Sequence, residues 1–249
     1  MAATRSVTGK VLALLGAFTP EAPELTLSEL ARRAGVSIPT AHRRVRELVA
    51  WGAIERGADG RLRIGLRLWE VASLAPRGLG LREAAMPFLE DLYEVSHENV
   101  QLAVRAGLEV VFVERIAGRH AVPVLTRVGG RFALHATGVG LVLLAHAPVA
   151  VQDELLGTPL HAYSPKTIID PVRLREVLAA TRRNGYAVSD GQVTVDALSV
   201  AAPIRDPSDA VTAAVSLVVR ADCAQPAALA PLVMAAARGI TRALRGFGR

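Results

Sequence analysis

Apolar residues in the first quarter of the chain recur at steps of three and four, the spacing that marks one buried helical face. Val7, Val11, Leu14, Leu15 and Phe18 predict a helix over 6–18, ended by Pro20 and Pro23. Leu27, Leu30, Ala31 and Ala34 predict a second. Thr26 offers its N-cap, with Glu29 three residues on, the reciprocal pairing that satisfies two orphan amides at a helix start. Gly35 supplies a stop in the left-handed conformation that glycine adopts cheaply. Ala41, Val45, Leu48 and Val49 give the inward face of a third helix, capped by Ser37 and ended by Gly52. Pro39 is tolerated in its first turn, where an amide hydrogen would be unpaired anyway.

The period then changes. Ile54–Arg56 and Leu62–Ile64 pair as a hairpin about Ala58-Asp59-Gly60, because Asp-Gly is a strong turn signal. A helix, two helices joined by a tight turn and a hairpin make a winged helix-turn-helix, in which the last helix lies in the DNA major groove. Leu66–Leu74 continues as a helix, interrupted at Pro76, Gly78 and Gly80. Leu81, Ala85, Phe88, Leu92 and Val95 define a longer amphipathic helix.

From Asn99 strands dominate: Gln101–Val104, Val110–Ile116 and Ala121–Thr126, then Tyr186–Ser189, Ser199–Pro203 and Ala210–Arg220. Helices are predicted at Leu141–Ala147, Pro171–Asn184 and Pro226–Arg245. The expected architecture is α+β with two domains: a winged head over 1–67, and a strand-and-helix sensor domain over 68–249 that begins with a linker helix.

Composition adds placement. The chain has 249 residues, 51% hydrophobic and 21% charged, as expected of a folded protein. Its net charge of +6 is uneven. Residues 1–68 hold eleven bases, Arg5 and Lys10 among them, and six acids, an excess of five; the remaining eighteen bases and seventeen acids leave one. A basic head on a near-neutral body suits phosphate neutralisation by DNA binding. No uninterrupted apolar run is long enough to span a bilayer, and the N-terminus lacks a signal-peptide pattern, so the expectation is a cytoplasmic protein. A single cysteine, Cys223, rules out an internal disulfide or a multi-cysteine zinc site and is expected as an inert, partly buried thiol.

Candidate chemistry follows the same division. Arg43, Arg44 and Arg46 lie on the polar side of the third helix, where a planar guanidinium reads guanine or clamps phosphate. Ser37, Pro39, Thr40 and His42 flank them, and Arg61 and Arg63 sit on the wing. The alternative for this group is a solvated basic face. Thr137-Gly138-Val139-Gly140 precedes a helix whose bare amides attract an anion, or forms a simple tight turn. The six histidines show no metal-ligand spacing, His135 reads as a ligand or a core residue, and no nucleophile elbow or convincing carboxylate pair exists. No enzyme activity, cofactor or metal is expected.

Three groups of motifs occur in order: RSVTGKVLALL with LSELARRAGVSIPTAHRRVREL; RVGGRFALHATGVG at Arg127–Gly140; and RRNGYAVSD at Arg182–Asp190 with AAPIRD at Ala201–Asp206. Over essentially its whole length the chain resembles the IclR family of bacterial transcriptional regulators. The resemblance implies a winged helix-turn-helix, a linker helix and a GAF-like effector-binding domain, assembled as a homodimer or homotetramer on a double-stranded DNA operator. It implies a small carboxylate effector held by the Gly138 and Val139 amides, with Asp190, Ser199 and Ser216 in the pocket. Three positions depart from the family pattern: Leu141 replaces a usual lysine, Gln192 a frequent glutamate and Asp196 a usual glycine. These keep open a second reading, in which the C-terminal domain only oligomerises.

Overall fold

The computed structural model describes residues 6–75, 79–119 and 121–246. The breaks expected at Pro76 and Gly78, the basic Arg5, His120 and the side chain of Cys223 lie outside the described residues. By backbone proximity the chain divides between Gly78 and Leu79 into two compact units.

The first unit holds α1 (Val7–Leu15), β1 (Glu24–Leu25), α2 (Leu27–Arg33), α3 (Ile38–Trp51), β2 (Ile54–Arg56), β3 (Leu62–Ile64) and α4 (Leu66–Ser73). Its core gathers Leu14, Leu25, Leu30, Ala31, Ala41, Val45, Ile54 and Leu62. Helix α1 stops at Leu15 with Gly16 at its C-cap, short of the expected Phe18, and Val7 is exposed rather than buried. The capping box on α2 is formed: Glu29 N donates to Thr26 Oγ1 at 3.3 Å and Thr26 N to Glu29 Oε2 at 2.8 Å. Gly35 (φ +65°) and Gly52 (φ +86°) take the left-handed conformations that end α2 and α3. The hairpin register is Ile54↔Ile64 to Arg56↔Leu62. Two-residue β1, too short to show a period, adds a third strand on β3.

The second unit is built on one antiparallel sheet. Its strands are β4 (Asn99–Ala106), β5 (Glu109–Ile116), β6 (Arg131–Ala133), β7 (Ala187–Asp190), β8 (Ala197–Arg205) and β9 (Val211–Arg220). Their order is β6-β5-β4-β9-β8-β7. Alternation assigns the two faces. Leu102, Val104, Val200, Ala202, Val215 and Leu217 face α5 (Leu79–Ser96) and α9 (Pro226–Gly246). Gly239 lets α9 approach α5 closely, since a Cβ there would fall 2.4 Å from the Phe88 ring. Among the described residues, α9 is long and apolar enough to cross a membrane by length and composition; its Val233, Ala237 and Ile240 pack into the sheet's core.

Ala103, Phe112, Ala201 and Ala214 face the other way, against Leu141 and Leu144 of α6 (Gly138–Ala145) and Leu174 and Leu178 of α8 (Pro171–Asn184). All eight residues of α6 are buried, as its apolar sequence demands. Helix α7 (Val149–Leu156) completes this layer.

Residues 121–126, expected as a strand, form none. Strand β5 already has β4 on one edge and β6 on the other. β6 covers only Glu109–Val111 of that edge, and the segment does not take the remainder: Val122 packs on Ala197 and Val218, so it crosses the face of the sheet as a strap. Side chains hold it: Asn99 Nδ2 donates to Val122 O at 2.9 Å and Arg115 Nη1 to Thr126 O at 3.1 Å.

Candidate functional site

On the head, α2 and α3 pack as the helix-turn-helix. Ser37, Pro39, His42, Arg43 and Arg46 are exposed on α3, and Thr40 is half-buried. Ser37 holds the N-cap position without capping: its hydroxyl donates to Thr40 Oγ1 at 2.9 Å and accepts from no backbone amide of the helix. Arg43 and Arg46 make no hydrogen bond or ion pair with any described residue, so both guanidinium groups are open to solvent.

Arg44, expected on the open face, is not. Its side chain is 14% exposed, and Nη1 bonds both Glu47 carboxylate oxygens at 2.8 and 3.0 Å. Its Nε is buried without a partner. The reason is helical spacing: position 44 borders the Ala41–Val45–Leu48 stripe, so part of the side chain is drawn against the core. The wing arginines are also tied, though in solvent. Arg63 Nε meets Glu55 at 3.1 Å. Arg61 lies 3.7 Å from Glu29 and 3.8 Å from Asp59.

In the second unit a cavity opens on the α6 face of the sheet; its atom-free space, open mouth included, is about 440 Å³. Its floor is Gln101 of β4, Val218 of β9, and Ala197 and Ser199 of β8, all on one face by alternation. One end is the start of α6. Thr137 accepts the Gly140 amide through its hydroxyl at 3.1 Å and the Leu141 amide through its carbonyl at 2.8 Å. The Gly138 and Val139 amides find no acceptor among the described residues, and both residues line the cavity. A Cβ on Gly138 would lie 2.6 Å from Ser199 Oγ, so this helix end sits close against the floor. The strap roofs the space with Val124, Leu125 and Thr126, and Gln101 Nε2 donates to Thr126 Oγ1 at 2.6 Å. The 192–194 turn closes the opposite end.

The expected pocket residues divide. Gly138, Val139 and Ser199 line the cavity. Asp190 does not: it is exposed and paired with Lys166 at 3.1 Å. The pleat explains this, because successive residues of β7 point to opposite faces. Ser189 is the β7 residue that faces the cavity, its hydroxyl donating to Ala136 O at 3.2 Å. Ser216 is fully buried beside the floor rather than lining it, and its Oγ has no partner. It pairs in register with Gln101 and Ala201. Gln101, Thr126, Ser189, Gln192 and Thr194 were missed as cavity residues; period-two counting from Ser199 and Ser216 would have found Gln101 once the β4–β9 register was known.

Leu141 packs into the core under the sheet and does not line the cavity. Its replacement of a lysine therefore removes no charge from that space. His135 is a core residue, 2% exposed, with Nε2 set 2.9 Å from the His161 carbonyl. Burial lowers its pKa below the ordinary imidazole value. In the neutral ring Nε2–H is the donor, leaving Nδ1 buried and bare. No cluster of three or more metal-ligating side chains occurs among the described residues.

Comparison with known proteins accords with both halves. The IclR helix-turn-helix domain matches residues 7–58, and the bacterial transcriptional regulator IclR C-terminal domain matches 75–242. The chain is 33% identical over 209 residues to the HTH-type transcriptional regulator KipR of Bacillus subtilis, covering 84% of this chain and 83% of that one. It is 31% identical over 225 residues to the transcriptional repressor IclR of Escherichia coli, covering 86% and 82%. A crystal structure of an IclR homolog from Microbacterium hydrocarbonoxydans, complexed with 4-hydroxybenzoate, superposes with a TM-score of 0.92 at 39% identity over 97% of this chain and all of the other. A basic winged head and a hollow sheet domain, each matched in order, have one meaning: the chain belongs to the IclR family of bacterial DNA-binding transcriptional regulators.

Proposed function

We propose that the protein is a ligand-responsive repressor whose effector is a small organic acid, aromatic acids foremost. The observation that carries this reading is the end of α6. Two unused amides, Gly138 and Val139, stand beside the free hydroxyl of Ser199 in the wall of a largely apolar cavity. Bare amides at a helix start carry partial positive charge and suit a carboxylate. Ala197 and Val218 in the floor and Val124 and Leu125 in the roof suit a ring. The 4-hydroxybenzoate bound to the Microbacterium homolog is an acid of this class.

On the DNA side, Arg43 and Arg46 act as the free cations of α3, with Ser37, Pro39, Thr40 and His42 against backbone or base edges. Arg61 and Arg63 reach phosphate once they exchange their carboxylate partners for it. Arg44 serves mainly to hold Glu47. A homodimer or homotetramer presents recognition helices to half-sites one helical turn apart, about 34 Å. The protein works in the cytoplasm, and the effector acts by binding DNA-competent and DNA-incompetent states unequally.

The test joins a thermal-shift screen of small acids, 4-hydroxybenzoate included, to a gel-shift titration on the upstream region of its own gene. A ligand at a hundred times its Kd stabilises the native state by about 2.7 kcal/mol. An acid that raises the melting point and releases the DNA supports the reading. DNA binding with no response to any acid would overturn it in favour of a purely oligomerising C-terminal domain.

A further inference from the structure

Gln192 stands in the cavity wall with half of its amide committed and half idle. It is 4% exposed and lines the cavity at the end away from α6. The Ile168 amide donates to its Oε1 at 3.1 Å, and Thr167 Oγ1 donates to its backbone carbonyl at 2.6 Å. The first of these bonds fixes which way the side-chain amide points: oxygen towards the 161–168 loop, nitrogen the other way. Nε2 donates to no described residue, and it is not among the polar atoms sealed from solvent. An amide N–H in this wall with no protein partner is a ready donor to an acceptor held in the cavity.

Strand register gives its place relative to the α6 end. Ser199 lies opposite Ser189 on β7 and against Gly138. After β7 ends, the Gly191 amide donates to Ala197 O at 2.8 Å. Gly191 therefore stands at the level of Ala197, two residues along β8 from Ser199, and Gln192 follows it just beyond the end of β7. Two residues of strand span about 6.7 Å, comparable with the length of one para-substituted aromatic ring. Between the two ends the lining includes the apolar Val124, Val193 and Val218.

We propose that Gln192 is a specificity-determining residue, its Nε2 donating to a hydrogen-bond acceptor carried by the effector opposite its carboxylate. This rests on the acid-effector reading above. It adds that the preferred acid is bipolar: a carboxylate at α6, an apolar ring, and an oxygen at the far end. An acid side chain at position 192 would keep the Ile168 bond and lose the donor. Gln192→Glu is thus a replacement that spares the loop anchor while abolishing the recognition.

Two para-substituted benzoates of nearly equal size separate the donor from everything else. 4-Methoxybenzoate offers an ether oxygen; 4-ethylbenzoate places a methylene there. Calorimetric titration of the full chain is expected to show 4-methoxybenzoate binding about fivefold tighter, the ratio one neutral hydrogen bond carries. In Gln192→Glu that ratio is expected to fall to one or below; the buried carboxylate also lowers the melting temperature of the unliganded protein at neutral pH, so the readout is the ratio of the two acids, which meet the same charge. Gln192→Met, which also loses the loop anchor, is expected to weaken both acids and equally flatten the ratio. A wild-type ratio of one, or a ratio that survives in both variants, overturns the role of Gln192 and leaves the effector reading standing. Binding of neither acid, nor of 4-hydroxybenzoate, by the wild-type chain overturns the effector reading and this inference with it.

Discussion

Gly138 and Gly140 stand two residues apart at the start of α6, and replacing each by alanine has opposite expected consequences. At Gly140 the new Cβ would fall 2.2 Å from the Leu134 carbonyl oxygen and 2.6 Å from Thr137 Oγ1. The first is backbone and cannot rotate away; the second is the capping hydroxyl, whose bond to the Gly140 amide would be lost. Overpacking of this kind costs about 1–3 kcal/mol and the lost cap about 1 kcal/mol, against about 1 kcal/mol regained from alanine's helix propensity. The net is a destabilisation of about 2 kcal/mol, or a fall of about 4–8 °C in melting temperature for a domain of this size. At Gly138 the closest atom is Ser199 Oγ at 2.6 Å, which turns aside by a change of rotamer. That variant is expected to melt within about 2 °C of wild type. Its methyl group, however, occupies the space before the free amides, so stabilisation by 4-hydroxybenzoate is lost. Both tryptophans, Trp51 and Trp69, lie in the first unit. Calorimetry therefore follows the second unit, while tryptophan fluorescence checks that the head is untouched. Equal melting of the two variants, or a Gly138→Ala protein still stabilised by the acid, would refute the geometry assigned to the start of α6.

Three further outcomes are expected. Arg43→Ala should lower the slope of log affinity against log salt by about one, while Arg44→Ala changes it far less; fluorescence anisotropy over a salt series decides, and the reverse order would show that Arg44 leaves Glu47 to meet DNA. Asp190→Ala removes an exposed ion pair worth about 0–1 kcal/mol and should leave acid-induced stabilisation unchanged; loss of that response in a thermal-shift assay would return Asp190 to the cavity. Burial raises the pKa of Glu98 above 4.5, so the folded state holds its proton at pH values where the unfolded chain has released it. Stability from this group is full below pH 4.5 and falls as pH rises through the raised value. Glu98→Gln should therefore melt higher than wild type at neutral pH and converge with it in acid, and a constant difference across a pH series of melting curves would exclude this cause.

The head was legible because its determinants are local. Thr26 and Glu29, Gly35, Gly52 and Asp59-Gly60 are short-range signals, and each sits where the structure uses it. Arg44 was misjudged because polar character alone does not separate an open helix face from its border with the core. The cavity was only half legible. Gly138 and Val139 are marked by the helix they begin, but Ser189 rather than Asp190 faces inward only once the phase of β7 is fixed by its pairing with β8. Residues 121–126 are apolar enough to read as a strand, yet Val122 is buried against Ala197 and Val218 on the face of the sheet, a contact set by the tertiary fold and not by local pattern. Gln192 carried no period and was marked only as a departure from a frequent family glutamate; its orientation depends on which loop reaches its oxygen.

The strap over residues 121–126 belongs to no ladder, and this sets how the cavity can diverge. Its backbone is tied by Asn99 and Arg115, and its Thr126 hydroxyl by Gln101, rather than by a neighbouring strand. Lengthening or shortening a strand shifts register and turns every later side chain to the wrong face. Lengthening a side-chain-anchored strap shifts nothing beneath it, and loop extension costs little entropy. The roof of this cavity can thus drift in sequence and length, changing what the space admits, while the sheet beneath it stays fixed.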